Sequence, residues 1–178
     1  DAPQWETLVD LDDLSFRQNE KWVWKGAQCL APAYARCLVN LSRRGGDAIV
    51  VREFDIPART FVKDGFEIAE GKTDVAWVDM DTIMIGTNFG SGTLTKSGYP
   101  RIVKVVSRGQ LILDARTVFE GAEGDVASKA IVEFDQTGKP ERFIVRGIDF
   151  FSSEFFYVDA NWRAVRVPVP AFAEFKGL

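Results

Sequence analysis

Residues 36–54 read RCLVNLSRRGGDAIVVREF, and this stretch decides the fold. Two apolar runs flank a short turn that contains Gly45 and Gly46, and glycine tolerates the positive φ that tight hairpin turns require. The stretch therefore predicts antiparallel strands over 36–41 and 48–54. Residues 22–24 and 60–62 have the same character on either side, so the four runs predict an antiparallel meander.

The four-strand pattern recurs twice further along the chain. The later strand-like runs lie at residues 75–78, 82–86, 101–106 and 116–119, and then at 130–134, 142–146, 154–158 and 164–167. Four-stranded units that repeat about every 40–57 residues are typical of a β-propeller, with a single β-sandwich or barrel as the alternative. We therefore expect an all-β chain that forms a partial β-propeller of about three four-stranded antiparallel blades.

The repeats also predict the limits of each blade. We expect blades over 21–72, 73–125 and 126–170, an outer strand of a preceding blade with its link over 1–20, and the start of the next blade over 171–178. Helix is expected only as a turn or two near residues 12–17.

Alternating strand direction sorts the connections between the two ends of the blades. The loops at 43–47 and 88–99 should share one face with the links at 63–73 and 120–126. Propellers assemble their binding surfaces from such loops.

Composition excludes several functions. A chain of 178 residues with 46% hydrophobic content can build one packed domain. Its net charge of −4 argues against a nucleic-acid partner, and no apolar run approaches the roughly 20 residues that span a membrane. Because it contains no histidine, it can form neither a Ser-His-Asp triad nor a histidine-type zinc site. We assign no catalytic, cofactor-binding or metal-ligating residue.

Two further patterns have simple structural interpretations. In the 88–99 loop, Lys96 and Ser97 follow Thr95 rather than the glycine of a phosphate-binding loop, so a flexible surface loop is the simpler interpretation. The aspartates at 10, 12, 13, 79 and 81 lack calcium-loop spacing and suit turn capping.

The aromatic residues and the cysteines leave alternatives open. The aromatic side chains suit either packing between blades or a ligand-stacking surface: Trp22, Trp24, Trp77, Trp162, Phe150, Phe151, Phe155 and Phe156. Cys29 and Cys37 would face each other across a hairpin and form a disulfide, or remain two buried thiols. A disulfide would imply an oxidising compartment.

Several runs resemble bacterial prolyl oligopeptidases (prolyl endopeptidases), a family of serine peptidases. The resemblance covers most of the chain and loosens after about residue 125. The runs are WVWKGAQCL at 22–30, RCL at 36–38, GDAIVVREFD at 46–55, FVKDGF at 61–66, GTNFG at 86–90 and SGYPR at 97–101.

The resemblance implies a role as well as a fold. Family members carry a seven-bladed propeller inserted into an α/β-hydrolase domain, cleave short peptides after proline, and use the propeller to limit access. Their catalytic residues lie in the hydrolase domain, and this chain has no G-x-S-x-G nucleophile elbow, so we expect it alone to be inactive. The implied partners are short proline-containing peptides and that hydrolase domain.

The resemblance also bears on individual residues. Resembling proteins carry cysteines at positions 29 and 37, which favours the disulfide and, with it, a bacterial periplasmic location over a cytoplasmic one. The candidate residues for a substrate cavity or domain interface are Phe66, Phe89, Tyr99 and Arg101.

Two expectations concern association. A few blades do not close a ring, so the fragment should expose apolar surface and self-associate. The alternative function is a stand-alone propeller-like module that binds a protein or peptide through its loop-rich face.

Overall fold

The fold is known from a computed structural model, which describes residues 4–176.

The first sheet departs from the predicted meander at its outer edge. The strands of this sheet are β1 (Trp22–Cys29), β2 (Arg36–Arg43), β3 (Ile49–Asp55), β4 (Thr60–Phe61) and β5 (Glu67–Gly71). The predicted fourth strand is only the two-residue β4, and β5 pairs with β3 along most of its length. The segment 63–73 is therefore more than a link.

The second and third sheets follow the predicted pattern closely. The second has β6 (Asp74–Asp79), β7 (Thr82–Gly86), β8 (Ile102–Ser107) and β9 (Arg116–Glu120), and the third has β10 (Ala127–Phe134), β11 (Pro140–Gly147), β12 (Ser153–Val158) and β13 (Ala164–Val167). In both, consecutive strands pair antiparallel in chain order. The prediction of an all-β partial propeller with about three antiparallel blades is confirmed.

A short helix precedes the first sheet. Helix α1 spans Leu11–Gln18, and the Asp10 side chain caps it by accepting hydrogen bonds from the backbone N–H groups of Asp12 and Asp13. Leu14 is buried against the first sheet. Residues 4–10, where an outer strand was expected, form no strand. At the other end, residues 177 and 178 of the expected next blade lie outside the described residues, as do residues 1–3.

Strand β6 is buried on both sides and joins the three sheets into a stack. Val75 and Trp77 pack into an apolar layer shared with the first sheet, and Ala76 and Val78 into a layer shared with the third. The Trp77 indole N–H also donates to the Gln28 carbonyl oxygen, at 3.0 Å. Neighbouring sheets thus pack face to face, as blades do. No helix within residues 4–176 is long and apolar enough to cross a membrane.

Cys29 and Cys37 lie opposite each other in the register of β1 and β2 and form a disulfide. The bond closes the connection between these strands near the end of the sheet. It links residues eight positions apart, so it restricts a short loop of the unfolded chain.

Replacing both cysteines by serine is expected to lower the free energy of unfolding by about 2–3 kcal/mol. The disulfide reduces the conformational entropy of the unfolded chain, and for a loop this short that effect stabilises the folded state by about this amount. Urea unfolding with and without reductant measures the effect. Reductant should shift the midpoint of the parent protein and leave that of the Cys29→Ser/Cys37→Ser variant unchanged. A variant as stable as the oxidised parent would contradict this expectation.

Candidate functional site

The connection between β7 and β8, residues 88–101, is a folded loop. The Thr93 hydroxyl oxygen accepts a hydrogen bond from the Phe89 N–H at 3.0 Å. The Thr95 N–H donates to the Tyr99 carbonyl oxygen at 2.8 Å, and the Tyr99 N–H donates back to the Thr95 hydroxyl at 3.2 Å. These internal bonds differ from the flexible surface loop expected from sequence.

Arg101 joins the middle of this loop to the end of β9 and the start of the next link. Its Nε donates to the Gly92 carbonyl oxygen at 2.8 Å, and one terminal nitrogen donates to Glu120 Oε1 at 2.7 Å and to the Gly121 carbonyl oxygen at 2.8 Å. A guanidinium engaged on all of these acceptors holds the loop to the start of the next link. Arg101 is therefore a positioning residue for the loop.

The 88–101 loop is bound to the link between the second and third sheets, residues 121–126. The Lys96 N–H donates to the Glu123 carbonyl oxygen at 2.8 Å, and the Gly121 N–H donates to the Arg101 carbonyl oxygen at 2.7 Å. Both bonds bring the loop and the link to one end of the sheets. We call residues 88–101, 121–126 and 148–152 together the loop face.

Asp125 and Arg146 attach this link to the third sheet. The Arg146 Nε and one terminal nitrogen donate to the two carboxylate oxygens of Asp125, at 2.7 and 2.9 Å. Asp125 is only 5% exposed, and the hydrogen bond from Arg146 lowers its pKa below the ordinary value. Arg146 also donates to Glu154 on β12 at 3.1 Å. We call the Asp125–Arg146 ion pair the brace, because it joins the loop face to the third sheet through two hydrogen bonds.

A cavity of about 170 Å³ opens beside the loop. The Lys72 ammonium lies 3.9 Å from the centre of the Tyr99 ring, a cation–π contact, and donates to the Ser97 carbonyl oxygen at 3.3 Å. The cavity is lined by Asp47, Lys72, Thr73, Asp74, Tyr99, Pro100, Ala127, Ser128 and Lys129. The turn after β2, the link before β6 and the 88–101 loop thus meet on one face, where the alternation of strands places them.

Asp74 is a desolvated carboxylate at this cavity. Burial raises its pKa from 3.8 to about 6, although a 2.7 Å hydrogen bond from the Ala130 N–H and the nearby Lys129 oppose the rise. The bond to Ala130 also ties β6 to β10 across the boundary between the second and third sheets.

Asp74→Asn is expected to stabilise the protein by about 1–3 kcal/mol at about pH 7.5. The raised pKa means that the stability contributed by Asp74 is fully present below about pH 3.8 and is lost as pH rises through about 6. Asparagine keeps an acceptor for Ala130 and cannot ionise, so the two proteins should converge near pH 4. Thermal unfolding across this range measures the difference. Asp47→Asn, exposed in the same cavity, should change stability by less than about 0.5 kcal/mol at every pH.

The structure separates the four candidate residues. Tyr99 and Arg101 lie in the loop, and Phe89 lies at its start, partly buried against the layer between the first two sheets. Phe66 directly precedes β5 instead of lying in a blade link. It is buried, packs edge-on against Trp77 at 5.6 Å between ring centroids, and lies at the opposite end of the sheets. Its assignment to a link is corrected because β5 was missed.

The predicted aromatic set also divides. Trp77 and Phe155 are buried, and the rings of Phe156 and Phe119 are 4.6 Å apart, so packing within and between sheets is the correct interpretation for these. Phe150 and Phe151, in the connection between β11 and β12, are 89% and 88% exposed. The packing interpretation is wrong for this pair, because both residues occupy the tip of a hairpin.

Sequence reasoning missed Lys72, Asp74 and the Asp125–Arg146 pair. Asp125 and Arg146 are 21 positions apart, and only the β10–β11 register brings them together. Among residues 4–176 there is no group of three or more side chains arranged to hold a metal ion.

The chain is similar in sequence to parts of longer proteins that are named as peptidases. It is 42% identical over 98% of its length to an uncharacterized peptidase of Sinorhizobium fredii, and 30% identical over 99% to an uncharacterized peptidase of Rickettsia prowazekii. It covers only 25% and 26% of those proteins, so the chain spans about a quarter of the length of these relatives. A scan of protein-family models finds no match.

Solved structures show the same partial likeness. A post-proline cleaving enzyme from Rickettsia typhi superposes with a TM-score of 0.89 at 28% identity, over 97% of this chain and 27% of that one. Oligopeptidase B from Leishmania major superposes with a TM-score of 0.67 at 9% identity, over 92% of this chain and 22% of that one, which supports the fold alone.

Proposed function

Because the chain belongs to the prolyl oligopeptidase family as part of its propeller, we propose that it is the non-catalytic, access-limiting portion of a longer serine peptidase that cleaves short peptides after proline. One observation carries the proposal: this chain, which contains no histidine, superposes on a post-proline cleaving enzyme. In a Ser-His-Asp triad an imidazole accepts the proton of the serine nucleophile, so that imidazole would have to come from elsewhere in the protein.

The loop face supports the access-limiting role. Its largest loop is held by Arg101 and by hydrogen bonds to the 121–126 link, and the link is braced by Asp125 and Arg146. A loop and link held in this way form a wall that keeps its shape when substrate approaches. A rigid wall excludes substrates according to their size. Short peptides pass it, whereas folded or long chains do not.

Peptide hydrolysis tests the proposal. The full-length protein should release a chromophore attached after proline and should be inactive when alanine replaces that proline. It should cleave an octapeptide but not an unfolded protein that carries the same proline site. The present chain alone should cleave neither. Turnover by the chain alone, or a full-length enzyme indifferent to proline or to substrate length, would contradict the proposal.

We further propose that the isolated chain self-associates in solution. Two apolar grooves flank the stack, a larger one against β1–β3 of the first sheet and a smaller one against β11–β13 of the third. Phe143, Phe155 and Val167 line the smaller groove, where another sheet would pack. Sedimentation at rising concentration should detect a dimer or larger species, and a monomer at high concentration would contradict it.

The Cys29–Cys37 disulfide supports our proposal that the protein works in an oxidising compartment such as a bacterial periplasm. Alkylation of intact cells before lysis tests this. The two thiols should resist modification until reductant is added, and thiols that react without reductant would contradict a periplasmic location.

A further inference from the structure

The connection between β11 and β12 is a tight, rigid tip that presents two adjacent phenylalanines to solvent. The Ile148 N–H donates to the Ser152 carbonyl oxygen at 2.9 Å, and the Phe151 N–H donates to the Asp149 carboxylate at 2.8 Å. The tip is thus fixed by its own bonds while Phe150 and Phe151 remain almost wholly exposed. Adjacent exposed aromatic rings on a rigid support are typical of a protein interaction site.

The tip belongs to the same face as the 88–101 loop. Gly147, at the end of β11, accepts a hydrogen bond from the Val126 N–H at 2.8 Å, next to the Asp125–Arg146 brace. The same link carries Glu123, whose carbonyl oxygen holds Lys96 of the loop. Continuous bonds therefore run from the tip through the link to the loop.

Position in the stack restricts what can cover the two rings. Another blade would pack against the flat side of the third sheet, where Phe143 and Val167 line an apolar groove. Phe150 and Phe151 lie instead at the ends of the strands, on the loop face. A partner that reaches them must lie across the ends of the blades.

We propose that Phe150 and Phe151 anchor this segment to the α/β-hydrolase domain of the same longer protein, by inserting into an apolar recess on that domain. The inference rests on the proposed function and names the contact that joins the two parts. About three quarters of the length of the peptidase relatives lies outside the matched segment, so a partner domain within the same protein has ample chain to supply it. Aromatic anchors that enter a recess dominate the stability of such contacts.

Hydroxyl-radical footprinting of the full-length protein tests burial of the tip directly. Each residue's oxidation rate is divided by its intrinsic reactivity, and Tyr34 serves as the reference, since it is 60% exposed in the β1–β2 connection at the opposite end of the sheets. Phe150 and Phe151 should be protected about tenfold relative to Tyr34 in a sample shown to be monomeric by sedimentation. Equal normalised rates would overturn the inference, as would protection that appears only in a dimer.

A pair of matched variants tests the energetic role. Phe150→Ser/Phe151→Ser in the full-length protein should increase at least fivefold the rate at which a protease cuts between propeller and hydrolase domain. Leu111→Ser/Leu113→Ser removes two exposed apolar side chains from the β8–β9 connection at the opposite end and should leave that rate unchanged. Equal rates for the two variants would overturn the anchor.

The outcomes separate this inference from the proposed function. Footprinting needs no turnover, so a full-length protein with protected rings but no cleavage after proline would overturn the proposed function and retain the anchor. An active post-proline peptidase with freely oxidised rings would do the reverse.

Discussion

Glu53→Ala is expected to lower the free energy of unfolding by about 3 kcal/mol, because removal of one partner from a buried ion pair leaves the others without their counter-charge. Glu53 is 1% exposed and lies on β3. Its carboxylate accepts two hydrogen bonds from Arg108 at 2.8 and 3.1 Å, one from Arg36 at 3.2 Å and one from the Phe66 N–H at 2.9 Å. The bidentate contact with Arg108 joins the first sheet to the second.

An exposed carboxylate that also accepts a hydrogen bond from an arginine provides the control for Glu53. Glu120 accepts one hydrogen bond from Arg101 and its side chain is 57% exposed, so Glu120→Ala should cost less than about 1 kcal/mol. Urea unfolding of both variants gives the comparison. A loss at Glu53 no greater than that at Glu120 would show that the bond between the sheets contributes little.

Arg146→Ala is expected to destabilise the protein by about 2–3 kcal/mol and to loosen the loop face. Without Arg146, the buried carboxylate of Asp125 keeps only the backbone N–H of Ala122, at 2.6 Å. Arg146 holds the pKa of Asp125 low, so the stability it contributes is present at neutral pH and is lost as pH falls through that lowered pKa. The difference between variant and parent should therefore shrink in acid.

Hydrogen exchange locates the effect of Arg146→Ala. The amide of Lys96, which bonds to Glu123 in the braced link, should exchange faster in the variant. Arg166→Ala removes an exposed arginine that bonds to Glu154 at 2.9 Å, and it should leave exchange at Lys96 unchanged. Unchanged exchange in Arg146→Ala would mean that the brace does not support the loop.

The strands could be predicted where burial imposes a pattern. Residues 75–78 are buried and form a continuous apolar run, so the sequence predicts β6. Strand β5 was missed because Ile68 alone is buried among Glu67–Gly71, and one apolar residue gives no alternation. That omission moved Phe66 into a link, although it packs in the core.

The site was less predictable than the fold, because it depends on contacts between distant residues. Its glycines and hydroxyl residues predict a loop at 88–99, but the rigidity of the 88–101 loop comes from Arg101 and from partners in the 121–126 link. Similarly, aromatic composition gave no sign that Phe150 and Phe151 would point outward while Phe155 is buried. Only their places in the hairpin distinguish them: Phe150 and Phe151 lie at its tip, whereas Phe155 lies within β12.

The order of strands in the second and third sheets has a consequence for biosynthesis. Because each of these sheets is made entirely of strands that follow one another in the chain, its hydrogen bonds can form before the next sheet has been translated. Contacts between residues close in sequence form quickly. We expect a chain that becomes available from its N-terminus onward to acquire structure one sheet at a time, starting with the β1–β2 hairpin.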